Sequence, residues 1–264
     1  MSYSSHRYCA IARHDGMIMP VRALRVLQQE REAIASRVEA EVSSVLGAPP
    51  AAEALVPAAV HAHASLDEAG RRALSRPGAP APACGAGCSY CCHVHVDATA
   101  PEILAIASHL ASTWSREAVS VLRERLAAQV ASVEMLDDQA RWAEKIPCAL
   151  LDGAGRCSIY AARPLRCRAF HSCDAAPCRE AFNAMPGRAL TLPLPEESPP
   201  LRRAHDAVEE GYDRALTRAS LSALGYRLEM GLLLALEAQR TEATEATAAR
   251  WLAGEPVFDR ALPR

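Results

Sequence analysis

Nine cysteines crowd into the stretch from Cys84 to Cys178, and a tenth, Cys9, stands far upstream. A chain must cross-link so local a set of thiols, bury them as small apolar groups, or gather them on a metal. With 264 residues, 50% of them hydrophobic, the chain can build a core without covalent staples, which weakens the first reading. The opening stretch, MSYSSHRYCAIARHDGMIMP, has no continuous apolar run of the secretory type. The longest apolar run near the end, Gly231 to Leu236, is far short of a membrane span. A cytoplasmic protein with reduced thiols and no membrane partner is therefore expected. The formal net charge of -2 and the 5% aromatic content argue against a nucleic-acid partner, which needs a basic footprint or stacking rings.

Residues 1–19 show no period and read as a tail. From Pro20, Leu24, Leu27, Ile34, Val38, Val42 and Val45 recur at helical spacing until Gly47 and Pro49-Pro50. A second, Ala-rich helix runs from about Ala51 to Leu74, interrupted near Pro57, and the linker RPGAPAPA closes the region 20–83. Residues 84–182 form the cysteine-rich module. Within it, Thr99-Ala100-Pro101-Glu102 is a capping box that starts a helix carrying Ile103, Leu104, Ile106, Ala107 and Leu110 inward. Ser115 caps the next, which aligns Val119, Leu122, Leu126, Val130, Val133 and Leu136 on one face. Between Pro147 and Tyr160, two short runs flank a Gly-containing turn and predict a small hairpin. Residues 183–264 supply the proline-broken segment TLPLPEESPP and further helices. These set Leu221, Leu224, Leu228, Leu232 and Leu236 on one face, and a last short helix ends at Gly254. The expected fold class is mainly α, with a central cysteine-rich metal-binding module that contains a small β-hairpin.

In Cys84-Gly85-Ala86-Gly87-Cys88-Ser89-Tyr90-Cys91-Cys92, the glycines permit the tight turns that let several sulfurs converge on one cation. Adjacent Cys91 and Cys92 would diverge in regular strand or helix, so they are expected to serve different roles. If the hairpin loop is Asp152 to Gly155, Leu150 faces Cys157 and Cys148 lies one diagonal step away on the same face, with Cys167 able to close the set. The candidate ligands are therefore Cys84, Cys88, Cys91, Cys92, Cys148, Cys157 and Cys167. His93 and His95 alternate with Val94 and Val96, so both would face the thiols from one side of an extended segment; His171 is a weaker candidate, and His61 and His63 read as solvated. Arg156, Arg163, Arg166, Arg168 and Arg179 surround the later cysteines, where they would offset the negative charge of a thiolate site more readily than seat an anionic substrate. Tyr160 is expected to pack the hairpin on a helix.

The blocks Cys84-x3-Cys88-x2-Cys91-Cys92, Thr99 to Glu102, Pro147-Cys148, Gly155 to Tyr160, and Arg163-Pro164-Leu165-Arg166-Cys167-Arg168 resemble the YkgJ-type CxxCxxCC cysteine-cluster family over about residues 84–170. That family's usual first spacing is two residues, against three here. The resemblance implies a zinc- or iron-chelating domain more firmly than it implies a reaction, and it extends in part to the flagellin lysine methylases. Zinc would take four thiolates and contribute folding energy; a [4Fe-4S] cluster also takes up to four cysteines. Cys84-x3-Cys88-x-Tyr90-Cys91 matches the three-cysteine motif of radical S-adenosylmethionine enzymes, but the chain lacks the alternating strands and helices of their barrels. Three readings follow: a metal-binding protein of zinc or iron; an iron–sulfur enzyme of methyltransferase or oxidoreductase type, with Cys84, Cys88 and Cys91 on the cluster; and a metal-trafficking protein.

Overall fold

The computed structural model describes residues 21–184, 196–241 and 243–253. The expected tail, Cys9, the first half of the TLPLPEESPP segment and Gly254 lie outside them. The protein is mainly α-helical, with ten α-helices among the described residues. The first, α1 (Val21–Leu46), buries Val38, Val42 and Leu46, close to the face its periodicity predicts, and ends at Gly47 with a left-handed φ of 77°. A 3-10 turn at Ala52–Ala54 leads into α2 (Leu55–Leu74), so Pro57 stands in the first helical turn, where its missing N–H costs nothing.

The capping box opens α3 (Ala100–Thr113) as expected: Glu102 Oε2 accepts from the Thr99 amide and the Thr99 hydroxyl, each at 2.8 Å. Ser115 caps α4 (Arg116–Val133) by accepting from the Ala118 amide at 3.2 Å. This helix stops before Leu136, because Asp137 begins a new one, α5 (Asp138–Ala143), with its own side-chain cap to Ala140 at 2.8 Å. Short α6 (Leu165–Ala169) and α7 (Ala175–Asn183) follow, then α8 (Pro199–Arg218), α9 (Leu228–Arg240) and α10 (Thr244–Leu252).

Helices α1, α2 and α8 pack together, α2 also lies on α3, and α3 and α4 pack on α9, so elements from both ends of the chain share one core. Gly211 allows α8 to approach α1 closely, since a β-carbon there would collide with the Ala35 carbonyl of α1. Two departures from the sequence reading stand out. Leu221 and Leu224 do not continue the α9 stripe: the helix begins at Leu228, and Leu224 is exposed. The preceding residues instead form β2 (Tyr226–Arg227), antiparallel to β1 (Asp97–Ala98), with Asp97 opposite Arg227 and Ala98 opposite Tyr226. This small ribbon ties the chain just after the first cysteine loop to the start of α9. No helix among the described residues is long and apolar enough to cross a membrane.

Candidate metal centre

Three separated stretches deliver most of the thiols. In the first, the Cys88 amide donates to the Gly85 carbonyl at 3.0 Å and Gly87 adopts φ 87°, a conformation open to glycine at little cost. The loop then tightens into a 3-10 turn, Tyr90–His93. In this turn the Cys91 and Cys92 thiols do not diverge as expected. They are hydrogen-bonded to each other, because the residues sit in neither a strand nor a regular helix.

The second stretch is set against the first by one bond: the Cys148 amide donates to the Cys92 carbonyl at 2.7 Å. Gln129 of α4 brackets this point, accepting from the Ala149 amide at 2.9 Å and donating to the Pro147 carbonyl. The expected hairpin is present only as a turn with a single bridge, Leu151 to Cys157. Its register is therefore one residue away from the predicted pairing of Leu150 with Cys157. The cause is Asp152, whose side chain takes the amides of Ala154 at 2.9 Å and Arg156 at 2.8 Å, while its own amide donates to the Arg156 carbonyl at 2.8 Å. The Leu150 carbonyl is then left to Ser158, which donates from its amide and its hydroxyl at 2.9 and 2.7 Å.

The third stretch is α6, which carries Cys167. Its first amide, Leu165, donates at 2.7 Å to Glu102 Oε1, so the carboxylate that caps α3 also anchors the cysteine helix. Burial would raise the Glu102 carboxyl, but bonds from His63, Leu165 and Thr99 hold it below its usual range. His63 is consequently buried against Glu102 at 3.4 Å instead of solvated, whereas His61 is half-exposed beside Glu41 at 3.1 Å. Arg168 fastens the approach to α6, donating to the Arg163 and Ala161 carbonyls and pairing with Asp67 at 2.7 Å.

All nine described cysteines are free thiols. Cys92, Cys148 and Cys167 are close enough to feel one another's charge, and Cys157 acts on both Cys148 and Cys167. Burial pushes the Cys148 thiol up to about 12, with Glu229 adding to the shift, and pushes Cys167 well above its ordinary value. Cys91 is brought down to about 7, chiefly by the hydrogen bond that Cys92 donates, with Arg163 assisting. Cys88 is raised by burial and then by Cys84 and Cys91. Of the five arginines, Arg163 is the one whose charge favours thiolates at Cys91, Cys157 and Cys167. Arg156 pairs with Asp152 at 3.0 Å, Arg166 with Glu209 at 3.8 Å, and Arg168 braces the backbone. Tyr160 is not buried in the packing of the turn on a helix: it is 61% exposed, and the Arg163 guanidinium lies 3.6 Å from its ring centre.

The histidines separate by their partners. His93 donates from Nδ1 to the Ser89 carbonyl at 3.0 Å, which leaves Nε2 as its lone-pair nitrogen, the arrangement of a ligating histidine. His95 does not share that face. Arg141 can only donate, so His95 Nδ1 accepts from it at 3.0 Å and Nε2 donates to the Leu136 carbonyl at 3.0 Å. His171 donates to the Ala169 carbonyl at 2.9 Å and accepts from the Ser198 amide at 2.9 Å, which occupies both nitrogens. Behind Cys148, Arg141 is fully buried and pairs with the buried Glu229 at 2.6 Å. Sequence periodicity gave no sign of this pair, because α5 is too short to have a period.

The donor set suits a thiophilic ion: free sulfurs, two of them exposed and the others partly buried, with a guanidinium to offset charge. Among the described residues, no three His, Cys, Asp or Glu groups are already gathered as a coordination set. Ionised sulfurs drawn to one point repel unless a cation joins them, and here the thiols are neighbours, hydrogen-bonded to each other and to backbone.

Residues 83–187 match the model of the CxxCxxCC family, described as "Putative zinc- or iron-chelating domain". The match runs past the Arg163 to Arg168 block and takes in Cys173 and Cys178. No curated protein and no solved structure matches the chain.

Proposed function

We propose, from the match of residues 83–187 to a zinc- or iron-chelating family, that the protein is a metal chelator whose thiols act jointly from separate stretches of chain. The observation that carries this reading is the bond from the Cys148 amide to the Cys92 carbonyl, which sets cysteines far apart in sequence against each other with Cys167 beside them. Glu102 orients the helix that bears Cys167, Gln129 holds the segment that bears Cys148, and Arg163 offsets the charge that builds up as thiols lose protons. Zinc in such a site is redox-inert and adds folding energy, whereas iron brings redox chemistry. Because burial holds Cys148, Cys157 and Cys167 in the thiol form at neutral pH, binding must expel protons. Apparent affinity should therefore rise with pH, and a competition titration at pH 6.5 and 8 that gave equal affinities would contradict this.

Exposure of Cys84 and Cys91 favours a second reading, a metal-trafficking protein, in which ligands reachable from solvent pass the ion to another chelator. Purification without oxygen, followed by elemental analysis and a visible spectrum, tests the whole reading. Stoichiometric zinc or iron is expected, and brown protein with equal iron and sulfide would assign a [4Fe-4S] cluster. Metal-free material that melts sharply and ignores strong chelators would overturn chelation altogether.

A further inference from the structure

A cleft of about 390 Å³ opens between the first half of α1, the end of α2 and the start of α8, within the range of small-molecule sites, roughly 300–1,000 Å³. All of its lining residues lie outside 83–187, so it is separate from the cysteine-rich module. Leu27, Ile34, Ala73 and Ala204 give it apolar walls, while Arg31, Arg37, Arg72, Arg76 and Arg203 stand there against one carboxylate, Glu30. On a chain of net charge -2, that is a strong local excess of positive charge. Three of these arginines are matched: Arg31 pairs with Glu210 at 2.8 Å, Arg72 with Glu68 at 2.6 Å, and Arg76 with Glu30 at 3.1 Å. Arg37 and Arg203 form no ion pair among the described residues. Arg203 is half-buried, and burial together with the neighbouring Arg76 charge pushes its pKa down. Withdrawing a guanidinium from water without an anion beside it costs free energy that a bound anion would return. The cleft also reaches the first turn of the long helix α8 at Pro200, the positive end of that helix's dipole.

We infer that this cleft binds a small amphiphilic oxoanion, a carboxylate or phosphate head on an apolar body, with Arg37 and Arg203 holding the head and the walls of α1, α2 and α8 taking the body. The site lies beyond chelation and does not depend on it. An inorganic anion would leave the apolar walls wet, and an uncharged apolar ligand would desolvate two unmatched guanidiniums further. Only a ligand with both parts satisfies both features of the cleft. Guanidinium groups suit such heads because they donate two parallel N–H bonds to one carboxylate or phosphate. The chain's own segments outside the described residues do not supply the missing charge. Counting side chains, residues 1–20 carry one carboxylate against two arginines, residues 185–195 none against one, and residues 254–264 two against two.

Isothermal titration of the full-length protein with octyl phosphate and octanoate, both kept below micelle formation, tests the assignment. Octanol supplies the same body without charge, and inorganic phosphate supplies a head without a body. One molecule of octyl phosphate or octanoate per chain is expected, bound about 10-fold more tightly than octanol or inorganic phosphate. Arg203→Gln should weaken it about 10-fold. Ala33→Leu, which crowds the cleft from an exposed position on α1 and leaves the core untouched, should also weaken it. Arg116→Gln, at an exposed arginine of α4 outside the cleft, should change nothing. Octanol binding as tightly as octanoate, an unchanged affinity in Arg203→Gln, an equal loss in Arg116→Gln, or no saturable binding overturns the assignment. Two other occupants have their own signatures. Cosedimentation with phosphatidylglycerol vesicles without uptake of the soluble octyl anions would give the cleft to a membrane surface, and a dimer that Arg203→Gln dissociates would give it to a second copy of the chain. Either result overturns the proposal.

Discussion

On α8 the imidazole of His205 is 4% exposed, and burial, aided by the His171 ring 5.8 Å away, pushes its pKa down to about 4. An unfolded chain protonates this histidine near 6.5, so between the two values the unfolded state binds more protons. Its contribution to stability is complete above about pH 6.5 and is lost as pH falls toward 4, by about 3 kcal/mol at 1.36 kcal/mol per unit. Urea unfolding of His205→Gln should show a shallower decline over that window than wild type; parallel curves would contradict the assignment. Glu102 is the other residue on which much depends. Its place in a capping box was plain from Thr99-Ala100-Pro101-Glu102, but its second duty to Leu165 and His63 was not, because nothing local links residues so distant in sequence. Glu102→Ala should cost about 1–3 kcal/mol through the cap and the orphaned Leu165 amide, and should lower metal retention, since Cys167 stands two residues beyond. Full retention of metal in that variant would separate the cap from the centre.

At the level of elements, the fully buried Arg141–Glu229 pair joins α5 to the first turn of α9, directly behind Cys148. Removing one partner strands a charge in the core, which typically costs about 3–5 kcal/mol, whereas replacing both with apolar groups of similar size can be neutral. Glu229→Leu alone should therefore destabilise strongly, and adding Arg141→Met should restore most of the loss; two additive losses in a double-mutant cycle would refute coupling. The longer helices could be read from sequence because α1, α3 and α4 bury apolar residues at helical intervals and carry recognisable ends. The ribbon of β1 and β2 could not, since strands of two residues carry no alternation and their pairing joins distant segments. The turn around Asp152 was foreseen but its register was not, because the carboxylate closes it more tightly than residue counting implies.

Across the whole molecule, helices from both ends of the chain enclose one core, and the thiol-bearing segments are fastened to it through α3, α4 and α9. The thiols that carry the chemistry here were visible as a cysteine cluster, yet which of them become neighbours depended on backbone bonds such as Cys148 to Cys92 that no spacing encodes. A bound metal ties these segments together only in the folded state, so it should raise the melting temperature, and a chelator should lower it. Native mass spectrometry of the intact chain, purified without oxygen, tests the central claim most directly. The account predicts a mass excess equal to bound metal less the displaced thiol protons, lost in acid and diminished in Cys148→Ser. A bare-chain mass in a compact, narrow charge-state distribution would contradict it.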